Sequence, residues 1–259
     1  MDITASGPVT LPSVTIRRPG RPLFVNELAE VLNYAELRED RAAEILAQID
    51  SQFAFWAAIL QMRPDLTPKT YELLNVALQL AIFVEMRFKH ELGCWRPVNY
   101  SPDVQPMVTT PGHGSLPMGH AAQAYMTACI LCELADPNAN NAGLRAMLYR
   151  QAFRMSFNRI VAGVHFPVDL PPGAALGMAL GEYFVRRCTV LDPCNSWNVA
   201  VVNGNNVTNT QARPLQQWEF DEVRYATHTI TQPGFLDGYR ANPPHRAGTC
   251  PTAWPLRRT

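Results

Sequence analysis

The chain alternates between segments with the spacing of an amphipathic helix and segments rich in proline and polar residues. A helical period begins near Phe24 and continues over residues 42–60, where apolar side chains recur three or four positions apart. Thr67 and Pro68 are typical of an N-cap and a first helical position, and they precede a predicted helix over residues 69–90. That helix is apolar on nearly all sides, which predicts burial inside a bundle.

A long loop separates this helix from the next one. Residues 97–116 are rich in Pro, Thr, Ser and Gly, and a loop of this length inside a compact domain is often functional. Helices are predicted over three further segments, residues 117–134, 142–162 and 169–187. The last helix carries Gly173, Gly177 and Gly181 at four-residue spacing, on one face. In a chain of this composition that spacing predicts close helix packing within a bundle.

The pattern predicts an all-α protein with a single domain and three parts. Residues 1–23 have no helical period and are predicted to form an extended N-terminal arm. Residues 24–188 are predicted to be the helical catalytic core. Residues 189–259 are rich in Asn, Pro, Thr and Arg, which predicts an irregular extension packed on the core, with a weak strand signal only near residues 199–202.

Charge and hydropathy exclude several classes of partner. The chain has 22 basic and 22 acidic residues and no basic block, so neither nucleic acid nor a membrane is expected as a partner. The most apolar run, residues 73–84, is too short and too polar to span a bilayer. The N-terminus carries Asp2 and lacks the apolar stretch of a signal peptide. A cytoplasmic protein is therefore expected, or an exported one if a leader has been removed.

Three short segments, each at a predicted helix end or in a loop, suit the binding of an oxyanion. In chain order they contain Lys89, Arg96 and Pro97, then Pro117, Met118, Gly119 and His120, and then Arg159, His165 and Asp169. The lysine and the two arginines supply positive charge, and the arginine forks match the geometry of an oxyanion. The glycine lets a backbone N–H approach a ligand at the start of a helix.

The two histidines of these segments are candidates for the chemical step. His120 and His165 can act on opposite sides of a bound central atom. Asp169 lies four residues after His165 and can accept a proton from one imidazole nitrogen. The other nitrogen of His165 is then free to act as a ligand or as a nucleophile.

These segments resemble the signature of the vanadium haloperoxidase and type 2 phosphatidic acid phosphatase superfamily, which includes bacterial nonspecific acid phosphatases. The family pattern is Lys-x6-Arg-Pro, then Pro-Ser-Gly-His, then Ser-Arg-x5-His-x3-Asp, and the resemblance covers about residues 70–187. It implies a helical bundle of the vanadium haloperoxidase and acid phosphatase type. The chain departs from the pattern at Met118 and Asn158, where the family has serine. Three residues are candidates for the missing hydroxyl donor: Ser115, Thr109 and Thr110.

The resemblance implies one of two chemistries, of which the haloperoxidase is the leading hypothesis. In haloperoxidases the residue matching His165 coordinates vanadium, and those matching His120 and Lys89 act on bound peroxide. His113, seven residues before His120, favours this branch, because bromide-oxidising members have a histidine at that position near the halide site, and Trp95 also resembles the peroxidase branch. The enzyme would then use halide, hydrogen peroxide and a small organic acceptor. The predicted vanadate-binding residues are Lys89, Arg96, Gly119, Arg159 and His165, and phosphate fits the same site.

Two alternatives remain open. In the phosphatases, the histidine matching His165 attacks phosphorus and the one matching His120 protonates the leaving oxygen, so a soluble acid phosphatase with a phosphohistidine intermediate is the first alternative. The second is a member whose oxyanion chemistry is altered by Met118, acting as a binding or structural protein or in a non-oxidative reaction. The two long irregular ends also predict a possible homodimer.

Overall fold

The computed structural model describes residues 14–189, 199–202 and 206–209. Within these residues the chain forms α-helices, short 3-10 turns and three short strands. The helices are α1 Arg21–Tyr34, α2 Arg38–Ala47, α3 Phe53–Leu60, α4 Pro68–Leu92, α5 Pro97–Tyr100, α6 Gly119–Ala135, α7 Ala142–Val161 and α8 Leu170–Thr189. The predicted all-α fold class is confirmed.

A small sheet joins the two ends of the described chain. Strand β1, Val14–Ile16, pairs in parallel with β2, Val199–Val202, and β2 pairs antiparallel with β3, Asn206–Asn209. The weak strand signal near residues 199–202 is therefore confirmed. Most of the predicted arm and most of the predicted extension lie outside the described residues. The predicted homodimer concerns contacts beyond this single chain and stays a prediction.

Helix α6 forms the centre of the bundle. It packs against α8, α7 and α4, and nearly every side chain from its start to Cys132 is buried. The close packing predicted from the glycines of α8 is confirmed, since they lie directly on the backbone of α6. A Cβ atom at Gly177 would collide with the carbonyl oxygen of Ala122. This contact fixes the distance between α6 and α8.

Alanine at Gly177 is therefore expected to destabilise the protein. The added methyl group forces α6 and α8 apart at a cost of about 3 kcal/mol, and the better helix propensity of alanine offsets about 1 kcal/mol of this. We expect the free energy of unfolding, measured by urea denaturation, to fall by about 2 kcal/mol. Gly143→Ala is the matched helical control, because a Cβ there meets only Asn141 Oδ1 at 3.5 Å, an ordinary contact distance. Equal stability of both variants would contradict the packing described for α8.

Helix α4 differs from its prediction, because it is buried on one face only. Its buried residues recur three or four positions apart in a single stripe that faces α6 and α8: Thr70, Leu74, Ala77, Ala81, Glu85 and Lys89. On the other side Val76, Ile82, Phe83 and Met86 are exposed. The expectation of burial on all sides was wrong, because α4 lies at the edge of the bundle. No helix in the described part of the chain has the length and hydropathy needed to cross a membrane.

The predicted helix over residues 42–60 is broken into α2 and α3. Helix α2 ends at Ala47, and Gln48 is its C-cap. A short turn follows before α3 begins at Phe53. Gln48, at this break, is fully buried.

Candidate active site

A cavity of about 270 Å³ opens at the end of the bundle where α4, α6 and α7 meet the loop before α6. Seven of the eight predicted site residues line it: Lys89, Arg96, His113, Gly119, His120, Arg159 and His165. The eighth, Asp169, is fully buried behind His165. The structure thus brings together in one place side chains that lie up to eighty residues apart in the sequence.

His165 and Asp169 form the innermost pair. The loop after α7 turns at Gly163, which has a positive φ of 78°, and it leads into a 3-10 turn, Pro167–Asp169. Asp169 Oδ2 accepts from His165 Nδ1 at 2.9 Å and from the backbone N–H of Phe166 at 2.9 Å. Since a carboxylate can only accept, Nδ1 carries the proton and Nε2 keeps its lone pair.

The Nε2 atom of His165 is presented to the cavity beside a guanidinium. Arg96 Nη1 lies 2.8 Å from it and also donates to the carbonyl oxygen of Val164 at 2.6 Å. Burial, followed by the positive charges of Arg96 and Lys89, holds the pKa of His165 well below its usual range. The imidazole is therefore neutral near pH 7, as a nucleophile or a ligand must be.

The hydroxyl group of Ser115 supports Asp169. Its Oγ donates to Asp169 Oδ2 and lies 3.4 Å from His165 Nδ1. Ser115 is fully buried and does not line the cavity, so it does not replace the hydroxyl missing at Met118. Thr109 is the one of the three candidates that lines the cavity.

Lys89 ties α4 to the loop that precedes α6. Its Nζ atom donates to the carbonyl oxygens of Gly114, Ser115 and Pro117 at 3.2, 2.9 and 2.6 Å. Burial and the neighbouring Arg96 lower the pKa of Lys89 to about 8, so the group is still mostly charged near pH 7. Lys89 thereby holds the loop in place and adds a positive charge to the wall of the cavity.

Gln48 contacts two site residues on the side away from the cavity, and no sequence pattern predicts this role. Its backbone oxygen lies 3.0 Å from His120 Nε2, and its Oε1 accepts from Arg159 Nη2 at 3.2 Å. Arg159 also donates to Ile45, while its buried Nε has no hydrogen-bond partner and remains available to a ligand. Burial, followed by the charge of Arg159, lowers the pKa of His120 to about 4, so the free site holds this histidine neutral.

Glu85 is a second site residue that the sequence analysis missed. It lies one helical turn before Lys89, lines the cavity and is buried. The spacing of four residues from Lys89 was a usable signal, because residues at i and i+4 share one face of a helix. Its carboxyl group accepts from Gln123 Nε2 at 3.2 Å through Oε1.

His113 lies at the side of the cavity, half-buried, and is held by its neighbours. Its Nδ1 atom is 3.2 Å from Arg96 Nη2 and 3.1 Å from the carbonyl oxygen of Gly114. Arg96 Nε also donates to the backbone oxygen of His113 at 3.3 Å. Through these contacts His113 holds the side chain of Arg96 in position.

The start of α6 completes the anion-binding surface. Met118 is the N-cap, and its buried side chain makes no capping hydrogen bond. The first amide N–H groups of the helix, beginning at Gly119, can therefore donate hydrogen bonds to a ligand. The helix dipole favours a negatively charged ligand at this end. Together with Arg96 and Arg159, this end of α6 can bind a tetrahedral oxyanion within reach of His165. No cluster of metal-ligating side chains occurs among residues 14–189, 199–202 and 206–209.

The chain is similar to known proteins in this same region. Residues 71–189 match the family model described as PAP2 superfamily, which confirms the predicted resemblance at the level of that superfamily. Among the curated proteins none matches.

Two solved structures are similar to this chain. One is the transmembrane PAP2 type phosphatidylglycerolphosphate phosphatase from Bacillus subtilis, at 16% identity over 68% of this chain and 90% of that chain, with a TM-score of 0.48. The other is LpxE from Aquifex aeolicus, at 23% identity over 64% of this chain and 87% of that chain, with a TM-score of 0.41.

The predicted vanadium-dependent haloperoxidase was wrong. The family model that matches residues 71–189 is the PAP2 superfamily, and nothing in this match indicates a peroxidase. The two residues that favoured the peroxidase have other roles in this structure. His113 fixes Arg96, and Trp95 is 56% exposed with its ring against Tyr100. Halide, hydrogen peroxide and an organic acceptor were predicted only as substrates of the peroxidase, so they are no longer expected as partners.

Proposed function

We propose that the protein is a phosphatase that hydrolyses phosphomonoesters through a phosphohistidine at His165. The observation that carries this proposal is the geometry of His165. Its Nδ1 proton is held by Asp169 at 2.9 Å, and its unprotonated Nε2, at the wall of the cavity, accepts from Arg96 Nη1 at 2.8 Å. A nucleophile oriented by a buried carboxylate and placed next to a fixed cation is the arrangement that phosphoryl transfer requires.

The first half of the reaction forms a covalent intermediate. The Nε2 lone pair of His165 attacks phosphorus, a P–N bond forms, and the bond from phosphorus to the ester oxygen breaks. The leaving oxygen takes a proton from His120 and departs as the alcohol. Arg96 and the free Nε–H of Arg159 donate to the phosphoryl oxygens, where negative charge accumulates.

The second half returns the enzyme to its starting state. Water attacks phosphorus, transfers a proton to His120, and the P–N bond breaks to release phosphate and free His165. His120 is neutral in the empty site, so its role as an acid depends on the bound substrate. The negative charge of a bound phosphoryl group favours the imidazolium and raises its pKa.

Orthovanadate is expected to act here as an inhibitor. It is a tetrahedral oxyanion near-isosteric with phosphate, so the residues predicted to hold it are those proposed to hold the phosphoryl group. We expect hydrolysis of a chromogenic phosphomonoester that orthovanadate and inorganic phosphate both inhibit competitively. An absence of phosphate release would contradict the proposal. Retained binding of phosphate in such a protein would favour the alternative of altered oxyanion chemistry at Met118.

A further inference from the structure

A carboxyl group lies in the wall of a cavity whose other charged side chains, Lys89, Arg96 and Arg159, are positive. Glu85 is 4% exposed and shares the cavity wall with Lys89 and Arg96. Its Oε1 accepts from Gln123, but its buried Oε2 has no hydrogen-bond partner. Lys89, one turn further along α4, gives its three protons to backbone oxygens and makes no hydrogen bond to Glu85. A buried polar atom without a partner is costly, and here it borders the space for the ligand.

The same carboxyl group lies against the start of α6. An ideal Cβ at Gly119 would be 2.5 Å from Glu85 Oε1 and 3.1 Å from Oε2. Glycine at this position is what allows the approach. The first amides of α6 are also where an oxyanion would bind. An ionised Glu85 would therefore repel the ligand at close range, whereas a protonated Glu85 could donate a hydrogen bond to it.

The surroundings of Glu85 favour the protonated form. Burial raises the pKa of Glu85 to about 7, although Lys89, Gln123 and Arg96 each act to lower it. Lys89 faces Glu85 from α4, Arg96 from the start of α5 and Gln123 from α6. The cavity also holds His113, His120, Arg159 and His165. Burial lowers the pKa of all three histidines, so Glu85 and Lys89 are the groups that titrate near neutral pH.

We propose that Glu85 is a binding residue of this site that engages the oxyanion in its protonated state, donating a hydrogen bond from Oε2. The donor stands in for the hydroxyl that is missing at Met118, whose side chain is buried in the core. Binding of a fully ionised oxyanion is then coupled to the uptake of a proton by Glu85. The inference rests on the proposed function only for the identity of the oxyanion, since the coupling concerns binding and not turnover.

The direction in which the oxyanion affinity changes with pH follows from the protonation state in which Glu85 binds the oxyanion. Below the pKa of about 7 Glu85 is already protonated, and above it a proton must be taken up before the ligand binds. The affinity of the wild-type protein therefore falls as pH rises, whereas Glu85→Gln keeps a neutral donor at every pH. Lys89 loses charge at higher pH in both proteins. For this reason the ratio of the two affinities, and not either affinity alone, isolates Glu85.

The experiment is a calorimetric titration with tungstate, a tetrahedral dianion whose own charge is constant around neutral pH. We expect the affinity of Glu85→Gln relative to wild type to rise from about onefold at about pH 6 to roughly tenfold at about pH 8. Glu182→Gln is the matched control, because burial also raises the pKa of Glu182 to about 7 but its partner is Arg186 on α8, and it does not line the cavity. Its ratio to wild type should stay constant.

A second measurement covers the case in which Glu85→Gln fails to fold. Titrations of His120→Ala, which lacks the other group expected to gain a proton beside a bound oxyanion, in buffers of different ionisation enthalpy at about pH 7.5 should give uptake of most of one proton per tungstate. No proton uptake, or an affinity ratio independent of pH, would overturn the role of Glu85. Ester hydrolysis without this coupling would refute Glu85 alone, and coupled tungstate binding without hydrolysis would refute the proposed phosphatase alone.

Discussion

Replacing His165 by alanine abolishes phosphate release, with a fall in kcat/KM of roughly 10³-fold or more. The variant loses the atom that forms the bond to phosphorus, and no other neutral imidazole lies in the same position. His120 is held by Gln48, and His113 is held by Arg96 and Gly114. Arg96, Arg159 and the start of α6 remain, so inorganic phosphate should still bind to the variant.

His90→Ala is the control for this prediction. His90 is exposed in the last turn of α4 and does not line the cavity, so its loss should leave kcat/KM unchanged. Steady-state hydrolysis of a chromogenic ester and calorimetric titration with phosphate give the two readouts. Retained hydrolysis in His165→Ala would exclude His165 as the nucleophile, whatever the variant's affinity for phosphate.

Asp169→Asn is expected to lower kcat by roughly 10²- to 10⁴-fold, with little change in phosphate affinity. The carboxylate accepts the Nδ1 proton of His165 and so keeps Nε2 unprotonated. An amide that turns its NH2 group toward Nδ1 stabilises the other tautomer, in which Nε2 carries the proton and cannot attack phosphorus. The effect should therefore fall on kcat, not on binding.

Ser115→Ala is expected to lower kcat less than Asp169→Asn does. Ser115 touches Asp169 but does not line the cavity, so its removal should cost about tenfold or less in kcat. Thermal unfolding of both variants separates a loss of catalysis from a loss of structure. Equal kcat values for Asp169→Asn and the wild-type protein would show that Asp169 is not needed to orient His165 as the nucleophile.

The site could be predicted to a large extent because its residues lie in short segments with fixed spacing. Asp169 is four residues from His165, and a single turn of chain brings the two side chains together. Helix boundaries at Pro68 and near Gly93 were equally local, since a proline and a left-handed glycine begin and end α4.

Contacts between distant segments could not be predicted from the same patterns. Gln48 meets His120 and Arg159 only because α2 ends at the site, and nothing in the local sequence indicates that position. The exposed face of α4 was missed because hydrophobic spacing does not reveal which faces have a neighbouring helix. Ser115 was a candidate donor to the oxyanion, yet its hydroxyl is directed to Asp169.

The type of reaction was predicted wrongly because two residues with structural roles were given functional ones. His113 and Trp95 favoured the haloperoxidase. In the structure His113 contacts Arg96, and Trp95 is exposed at the surface. The binding surface for a tetrahedral oxyanion is the same for vanadate and phosphate, so the motif alone did not separate the two chemistries. The match of residues 71–189 to the PAP2 superfamily and the geometry of His165 favour phosphoryl transfer.

The covalent intermediate at His165 is tested most directly by the stereochemistry of the reaction. A phosphomonoester made chiral at phosphorus with oxygen isotopes would be incubated with the enzyme and an alcohol acceptor, and the configuration of the transferred phosphoryl group determined. Two in-line displacements, first by His165 and then by the acceptor, predict retention of configuration. Inversion would mean that the acceptor attacks the substrate directly, and it would contradict the role of His165 as nucleophile.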